Sequence, residues 1–247
     1  MVPLVAVGHG SRDPRSAATV HELSDVVRDL APGLDVRVAF LDLSAPRLSD
    51  VLAGVHADGH DEVVVVPLLL GSAYHARVDI PGALAQVSTR HPRLRIALAD
   101  VLGPDPRLES LALRRLAEAG ADPTDPGLSV VLAGAGSSHQ PANDAVRAVA
   151  DGWARRTRWA GAVAAFAAAA DPDVPAAIAS LRAIGARRIA VGSWFLAPGR
   201  LPDRVRRAAS DAVVAEPLGA DPAVAGVVLD RYDAVARYPV AGMLVAG

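Results

Sequence analysis

Leu4-Val-Ala-Val-Gly-His-Gly-Ser11 stands near the start of the chain, and Val130-Val-Leu-Ala-Gly-Ala-Gly-Ser137 repeats its pattern 126 residues later. Each is a short apolar run that ends in Gly-x-Gly-Ser, the pattern of a buried strand running into a sharp turn. The same offset carries Phe40 onto Phe166 and Pro46 onto Pro172. Val63-Val-Val-Val-Pro67 falls on Arg188-Ile-Ala-Val-Gly192 at an offset of 125, and Leu102-Gly-Pro-Asp-Pro106 returns as Leu218-Gly-Ala-Asp-Pro222 at 116. Four landmarks in one order describe an internal duplication.

Around these landmarks, strand and helix patterns alternate. Leu4–Val7, Asp35–Phe40, Glu62–Pro67 and Arg95–Ala99 read as strands bounded by Gly, Pro or Asp. Ser16–Leu30, Leu48–Ala57, Ile80–Thr89 and Pro106–Ala119 carry apolar residues at helical steps, as in Leu23, Val26, Val27 and Leu30. Such alternation predicts an α/β fold with parallel sheets covered on both faces. The expectation is two similar lobes of about four strands each: residues 1–120, a Pro/Gly/Asp linker over 121–127, and residues 128–247.

Composition narrows the function. The 247 residues are 51% hydrophobic and 21% charged, with a mean hydropathy of +0.28, which excludes a disordered chain. The longest uncharged apolar stretch, Trp159–Ala170, is far shorter than the ~20 residues of a membrane span. No signal-peptide pattern precedes Leu4, so the expected location is the cytoplasm. A net charge of −2 gives no basic excess for nucleic acid. With no cysteine there is no thiolate ligand or nucleophile. With no lysine there is no Schiff base or Walker-type phosphate clamp.

Three constellations follow strands. Gly8-His9-Gly10-Ser11-Arg12-Asp13-Pro14 comes directly after the first, where ligands bind in doubly wound sheets. It matches neither the dinucleotide fingerprint nor the hydrolase nucleophile elbow. Pro67-Leu-Leu-Leu-Gly71-Ser-Ala-Tyr-His75-Ala-Arg77-Val-Asp79-Ile-Pro81 follows the third strand. Phe40-Leu-Asp42-Leu-Ser-Ala-Pro46 follows the second. His9 and His75 are suited to metal binding or proton transfer, because imidazole is a common ligand that titrates near neutrality. Asp42 adds a hard oxygen ligand, or a carboxylate that orients a histidine. Each motif alone is also what an ordinary loop histidine or helix-capping aspartate looks like. The duplication weighs on this choice: His9 maps to Ala135, Asp42 to Ala168 and His75 to Arg200, while the scaffold residues persist. That pattern points to one site, built by the first lobe. His21, His56, His60, His91 and His139 read as surface or capping residues.

At these residues the sequence resembles the sirohydrochlorin chelatase family, the small ATP-independent tetrapyrrole chelatases. The resemblance rests on Gly-His-Gly-Ser-Arg-Asp-Pro, on Val-Val-Pro-Leu-Leu-Leu followed by His and Asp-Ile-Pro, and on Leu-Gly-Pro-Asp-Pro. It implies two α/β lobes facing across a cleft, here fused in one chain and working as a monomer. It implies insertion of a divalent metal, Fe²⁺ or Co²⁺ and in some relatives Ni²⁺, into sirohydrochlorin, with no permanently bound cofactor. Iron, giving siroheme, is the favoured expectation, and cobalt insertion toward cobalamin is the alternative. The family's active histidines fall on His9 and His75, and its acid, commonly Glu, falls on the shorter Asp42. The tetrapyrrole's carboxylates suit bidentate arginines, for which Arg12, Arg77 and Arg200, with Ser11, are candidates. A non-catalytic tetrapyrrole or metal carrier, and a phosphate-handling enzyme using the Gly8–Ser11 turn, are the competing readings.

Overall fold

The computed structural model describes residues 1–71 and 78–236. In chain order the elements are β1 (Leu4–Gly8), α1 (Pro14–Leu30), β2 (Val36–Phe40), α2 (Leu48–Ala57), β3 (Glu62–Pro67), α3 (Ile80–Arg90), β4 (Arg95–Leu98) and α4 (Pro106–Glu118). The second series is β5 (Leu128–Gly134), α5 (Gln140–Arg156), β6 (Gly161–Phe166), α6 (Val174–Ala183), β7 (Arg188–Trp194), α7 (Arg200–Ala208), β8 (Val213–Val214) and α8 (Pro222–Ala236). They form two four-stranded parallel sheets, ordered β2-β1-β3-β4 and β6-β5-β7-β8. The α/β class and the repeated four-strand plan are as the sequence predicts.

In each sheet the central strands are apolar on both faces, because helices cover both. In the first lobe, Val5, Val7, Val63 and Val65 pack with Leu52 and Val55 of α2 and with Ile80, Leu84 and Val87 of α3. The alternate strand residues belong to the face covered by α1 and α8. In the second lobe, Val131, Ala133 and Val191 pack with Val174, Ile178 and Leu181 of α6 and Val205 of α7. On the opposite face, a Cβ placed on Gly192 of β7 would meet Leu116 of α4 and Trp153 of α5 at 3.1 Å. Glycine there leaves room for the fully buried indole.

The compact units are not consecutive stretches of sequence. One comprises Met1–Gly103 with Ala220–Gly247, the other Pro104–Gly219. The chain therefore crosses between the compact units at Gly103–Pro104 and Gly219–Ala220, while the expected linker at 121–127 lies within the second unit. The last helix of each repeat is exchanged. α4 packs on β7 of the second unit, where Arg115 donates to the Leu218 carbonyl at 3.1 Å. α8 packs on α1, β3 and β4 of the first, where Arg231 donates to the Val101 and Leu102 carbonyls at 2.9 and 3.0 Å. Arg115 and Arg231 are 116 apart, as are Leu102 and Leu218, so the two exchanges are the same contact made twice. The segment read as a linker is a stitched loop inside the second unit. The Trp159 indole donates to the Asp122 carbonyl, and Arg188 pairs with Asp125 at 2.6 Å.

Strand register also revises the repeat. Leu4 pairs with Val64 and Val130 with Ala190, so β3 and β7 correspond at 126, not 125. Leu69 and Phe195, which accept from Leu102 and Leu218, keep that offset. At the ends of α3 and α7, Val87 and Val205 cap the next turn in the same way but stand 118 apart. The second lobe thus loses eight residues between these points. His75 lies within the lengthened part, so its pairing with Arg200 does not hold as a residue-for-residue match.

Candidate active site

The candidate site is built around the carboxyl end of β1. β1 lies between β2 and β3, at the point where the strand order reverses, the usual ligand position of an open parallel sheet. The chain leaves β1 at Gly8, passes through His9, Gly10 and Ser11, and enters α1 behind the N-cap Asp13. Gly10 has φ +92°, and a Cβ there would lie 1.6 Å from the carbonyl oxygen of Asp42. Only glycine lets these two loops approach so closely. Asp42 donates its backbone N–H to the His9 carbonyl at 3.0 Å, and Leu41 donates to Gly8 at 3.0 Å. His9 and Asp42, 33 residues apart in sequence, are therefore neighbours on adjoining loops.

The loop after β2 is itself sharply turned. Leu43 takes φ +60°, a left-handed conformation uncommon for a residue with a branched side chain. Ala169 does the same in the second lobe at φ +55°. The Ala45–Pro46 and Asp171–Pro172 peptide bonds are both cis. The two lobes thus share this loop in detail, down to a Gly136 Cβ position 1.8 Å from the Ala168 carbonyl oxygen.

Charge in the site comes from Asp42, whose side chain is 58% exposed. The Leu43 backbone N–H, and then the Arg47 guanidinium at 2.8 Å, hold its carboxyl below the usual carboxylate range. Arg47 and His9 add smaller electrostatic contributions in the same direction. Asp42 is therefore ionised at neutral pH beside His9. Asp13 is lowered as well, chiefly by hydrogen bonds from the Arg15 side chain, with Nη2 at 2.6 Å.

His9, Ser11, Arg12 and Asp42 are thus brought together in the first unit, with Arg12 exposed. The Ser11 hydroxyl accepts the Asp13 N–H at 3.0 Å, a turn bond that Ser137 repeats with His139 in the second lobe. That bond serves the scaffold. Arg200 is exposed at the start of α7, in the second unit. His75 and Arg77 lie outside the described residues. Pro67, at the end of β3 on the way to them, pairs with Val7, two residues before His9.

The other histidines have local surroundings. His21 meets the Phe40 ring edge-on at 5.9 Å, and His56 meets His91 at 5.2 Å. α2 ends at Ala57, and Gly59 at φ +91° takes the chain away before His60, so the spacing of His56 and His60 is not a helical metal pair. Among the described residues no three His, Cys, Asp or Glu side chains form a metal-holding cluster. Sequence reasoning did not single out Arg47 or Ser44, the two residues that bind the Asp42 and Ser11 loops.

The sequence matches the CbiX family twice, over residues 3–119 and 129–235, and the chain belongs to that family. It is 25% identical over 207 residues to the sirohydrochlorin cobaltochelatase of Priestia megaterium, covering 83% of this chain and 67% of that protein. To the sirohydrochlorin ferrochelatase of the same organism it is 24% identical over 209 residues, covering 83% and 77%. The structure of SirB from Bacillus subtilis with Fe³⁺ has the same fold, with a TM-score of 0.82 at 23% identity over 94% of each chain. Two matches in tandem are the duplication seen from outside.

Proposed function

We propose that this protein is a sirohydrochlorin chelatase that inserts a divalent metal, Fe²⁺ or Co²⁺, into the macrocycle without ATP. One observation carries the reading: in a chain that matches the CbiX family twice, only the first copy sets a histidine and an ionised carboxylate side by side at the strand-order reversal. The second copy repeats the loops with Ala135 and Ala168.

Metallation must strip water from the ion, deliver it to one face of the macrocycle and remove two pyrrole protons. The incoming 2+ charge balances the two protons released. A neutral imidazole at His9 is suited either to ligating the ion or to accepting a proton near physiological pH. Asp42 stays ionised and raises the local affinity for a cation. It acts as an additional oxygen ligand or through His9. His75 is assigned as the second imidazole on the sequence motif after β3. A donor set this small is useful, because a closed four-ligand cage would retain the metal. Arg12, Arg77 and Arg200 are assigned to the substrate's carboxylates, which guanidinium groups bind bidentately.

Relatives carry both the iron and the cobalt name, so the assay uses both ions. Anaerobic mixing of the protein with sirohydrochlorin and Fe²⁺ or Co²⁺ is followed by the macrocycle's absorbance. The expected result is metallation above the uncatalysed rate over many turnovers. No rate above background with either ion would sink the proposal, and a single stoichiometric event would replace it with a carrier.

A further inference from the structure

The loop that carries His9 is closed differently in the two lobes. In the first, the Ser11 N–H donates to Ser44 Oγ at 3.1 Å, and the same hydroxyl donates to the Ser11 carbonyl at 3.0 Å. In the second, the corresponding Ser137 N–H donates to Asn143 Oδ1 at 2.9 Å, and Asn143 Nδ2 donates to the Ser137 carbonyl at 2.7 Å. The same backbone donor and acceptor are satisfied reciprocally in both. Only the source of the clamp differs. Ser44 comes from the loop after β2, two residues beyond Asp42. Asn143 comes from the first turn of α5 and is buried.

The repeat offset of 126 makes the exchange exact in sequence. Ser44 corresponds to Ala170, and Asn143 corresponds to Ala17 in α1. A clamp from the helix is therefore sufficient for the scaffold, as the second lobe demonstrates. The first lobe instead takes its clamp from the one element that also holds Asp42. A helix-borne amide would satisfy Ser11 equally well, but would not itself tie the His9 loop to the Asp42 loop.

We infer that Ser44 is a positioning residue: it locks the His9–Ser11 loop to the Asp42 loop and so fixes the imidazole relative to the carboxylate. The inference rests on the chelatase reading above. Geometry of this kind matters because small displacements of positioned groups cost large factors in rate.

The test compares Ser44→Ala, Ser44→Thr and the double variant Ser44→Ala/Ala17→Asn, which gives the first lobe the second lobe's clamp. Two quantities are read: exchange of the Ser11 amide hydrogen, and kcat and KM for sirohydrochlorin with Co²⁺. Ser44→Ala should speed Ser11 exchange and lower kcat, each about tenfold, consistent with the loss of one or two modest hydrogen bonds. KM for the tetrapyrrole should stay within about threefold. Ser44→Thr should restore both quantities. The double variant should restore Ser11 protection without restoring kcat, a split that a purely structural role does not produce. The inference is overturned if Ser44→Ala leaves kcat unchanged, or if the double variant recovers kcat together with protection. Should the double variant not fold, the Ala and Thr variants still decide through kcat. Wild-type protein that fails to metallate overturns the functional reading, and this inference's catalytic part with it. Unchanged Ser11 exchange in an otherwise active Ser44→Ala protein overturns the clamp alone.

Discussion

Asp42 shows how one residue's environment is set by its backbone as much as by its partners. The Leu43 peptide N–H bonds the carboxylate, Arg47 adds a guanidinium, and both favour the ionised form. A carboxyl whose folded value lies below its unfolded value stabilises the fold above about pH 4 and loses that contribution as pH falls through the folded value. Arg47→Ala should therefore move the Asp42 titration upward toward 3.8 while leaving the part due to Leu43. Carboxyl-carbon NMR checks this, and an unmoved titration contradicts the assignment. Gly10→Ala is the sharper lesion. It asks for φ +92° from a residue with a Cβ and drives that Cβ into the Asp42 carbonyl. The left-handed penalty alone is ~1–2 kcal/mol, so a fall in Tm together with loss of metallation is expected, and unchanged Tm and rate would refute the close approach. His9 and Asp42 stand out in the sequence because the second copy lacks both, and the structure sets their loops side by side. Arg47 and Ser44 were not. An arginine in an arginine-rich chain carries little signal, and Ser44 gains meaning only once the hydrogen bonds show that Asn143 replaces it.

The strands and helices themselves were largely readable, because parallel strands are continuous apolar runs and helices are periodic. Pro14, Pro106 and Pro222 each stand at a helix start, where a missing N–H costs nothing. What periodicity did not reveal is which sheet α4 and α8 cover, since an apolar stripe fits either copy of a duplicated sheet. Arg115 and Arg231 mark the answer by bonding carbonyls in the unit each helix joins. Charged-group hydrogen bonds of this type contribute ~1.5–3 kcal/mol. Arg231→Ala should thus destabilise the protein by about that amount in chemical denaturation, and a change within 0.5 kcal/mol, the usual range for an unimportant surface site, would count against the docking. Tyr232 ties α8 to the start of the chain, its hydroxyl donating to the Val2 carbonyl at 2.7 Å. Burial, then Asp233, raises its phenol above the ordinary 10.0. Because the folded state holds that proton more tightly, stability should fall as pH rises above about 10. Tyr232→Phe should flatten that alkaline loss and cost ~0.5–1.5 kcal/mol at neutral pH.

At the level of the whole molecule, duplication followed by helix exchange gives two similar scaffolds, and the proposal above assigns the chemistry to the first. Three repeat landmarks were correctly placed from sequence, whereas the offset through β3 and β7 was one residue short. It was misjudged because valine runs slide without penalty until hydrogen bonds fix their register. A chain that already contains both copies should work alone, so light scattering is expected to give a single 25.4 kDa chain in solution. An obligate dimer in the active preparation would contradict that. The second lobe also supplies the control for the central claim. It holds Ala135 in the position of His9, with the following glycine at φ +83° and the Ala168 N–H on the Ala135 carbonyl at 2.9 Å, so this loop folds without an imidazole. The most direct measurement is the anaerobic initial rate of sirohydrochlorin metallation by wild type, His9→Ala and Ala135→Ser at matched Tm. His9→Ala should lose a factor on the order of 10²–10⁴, the range for removing a general base or ligand, while Ala135→Ser keeps the wild-type rate. A fully active His9→Ala protein alongside an inactive Ala135→Ser protein would place the chemistry in the other lobe.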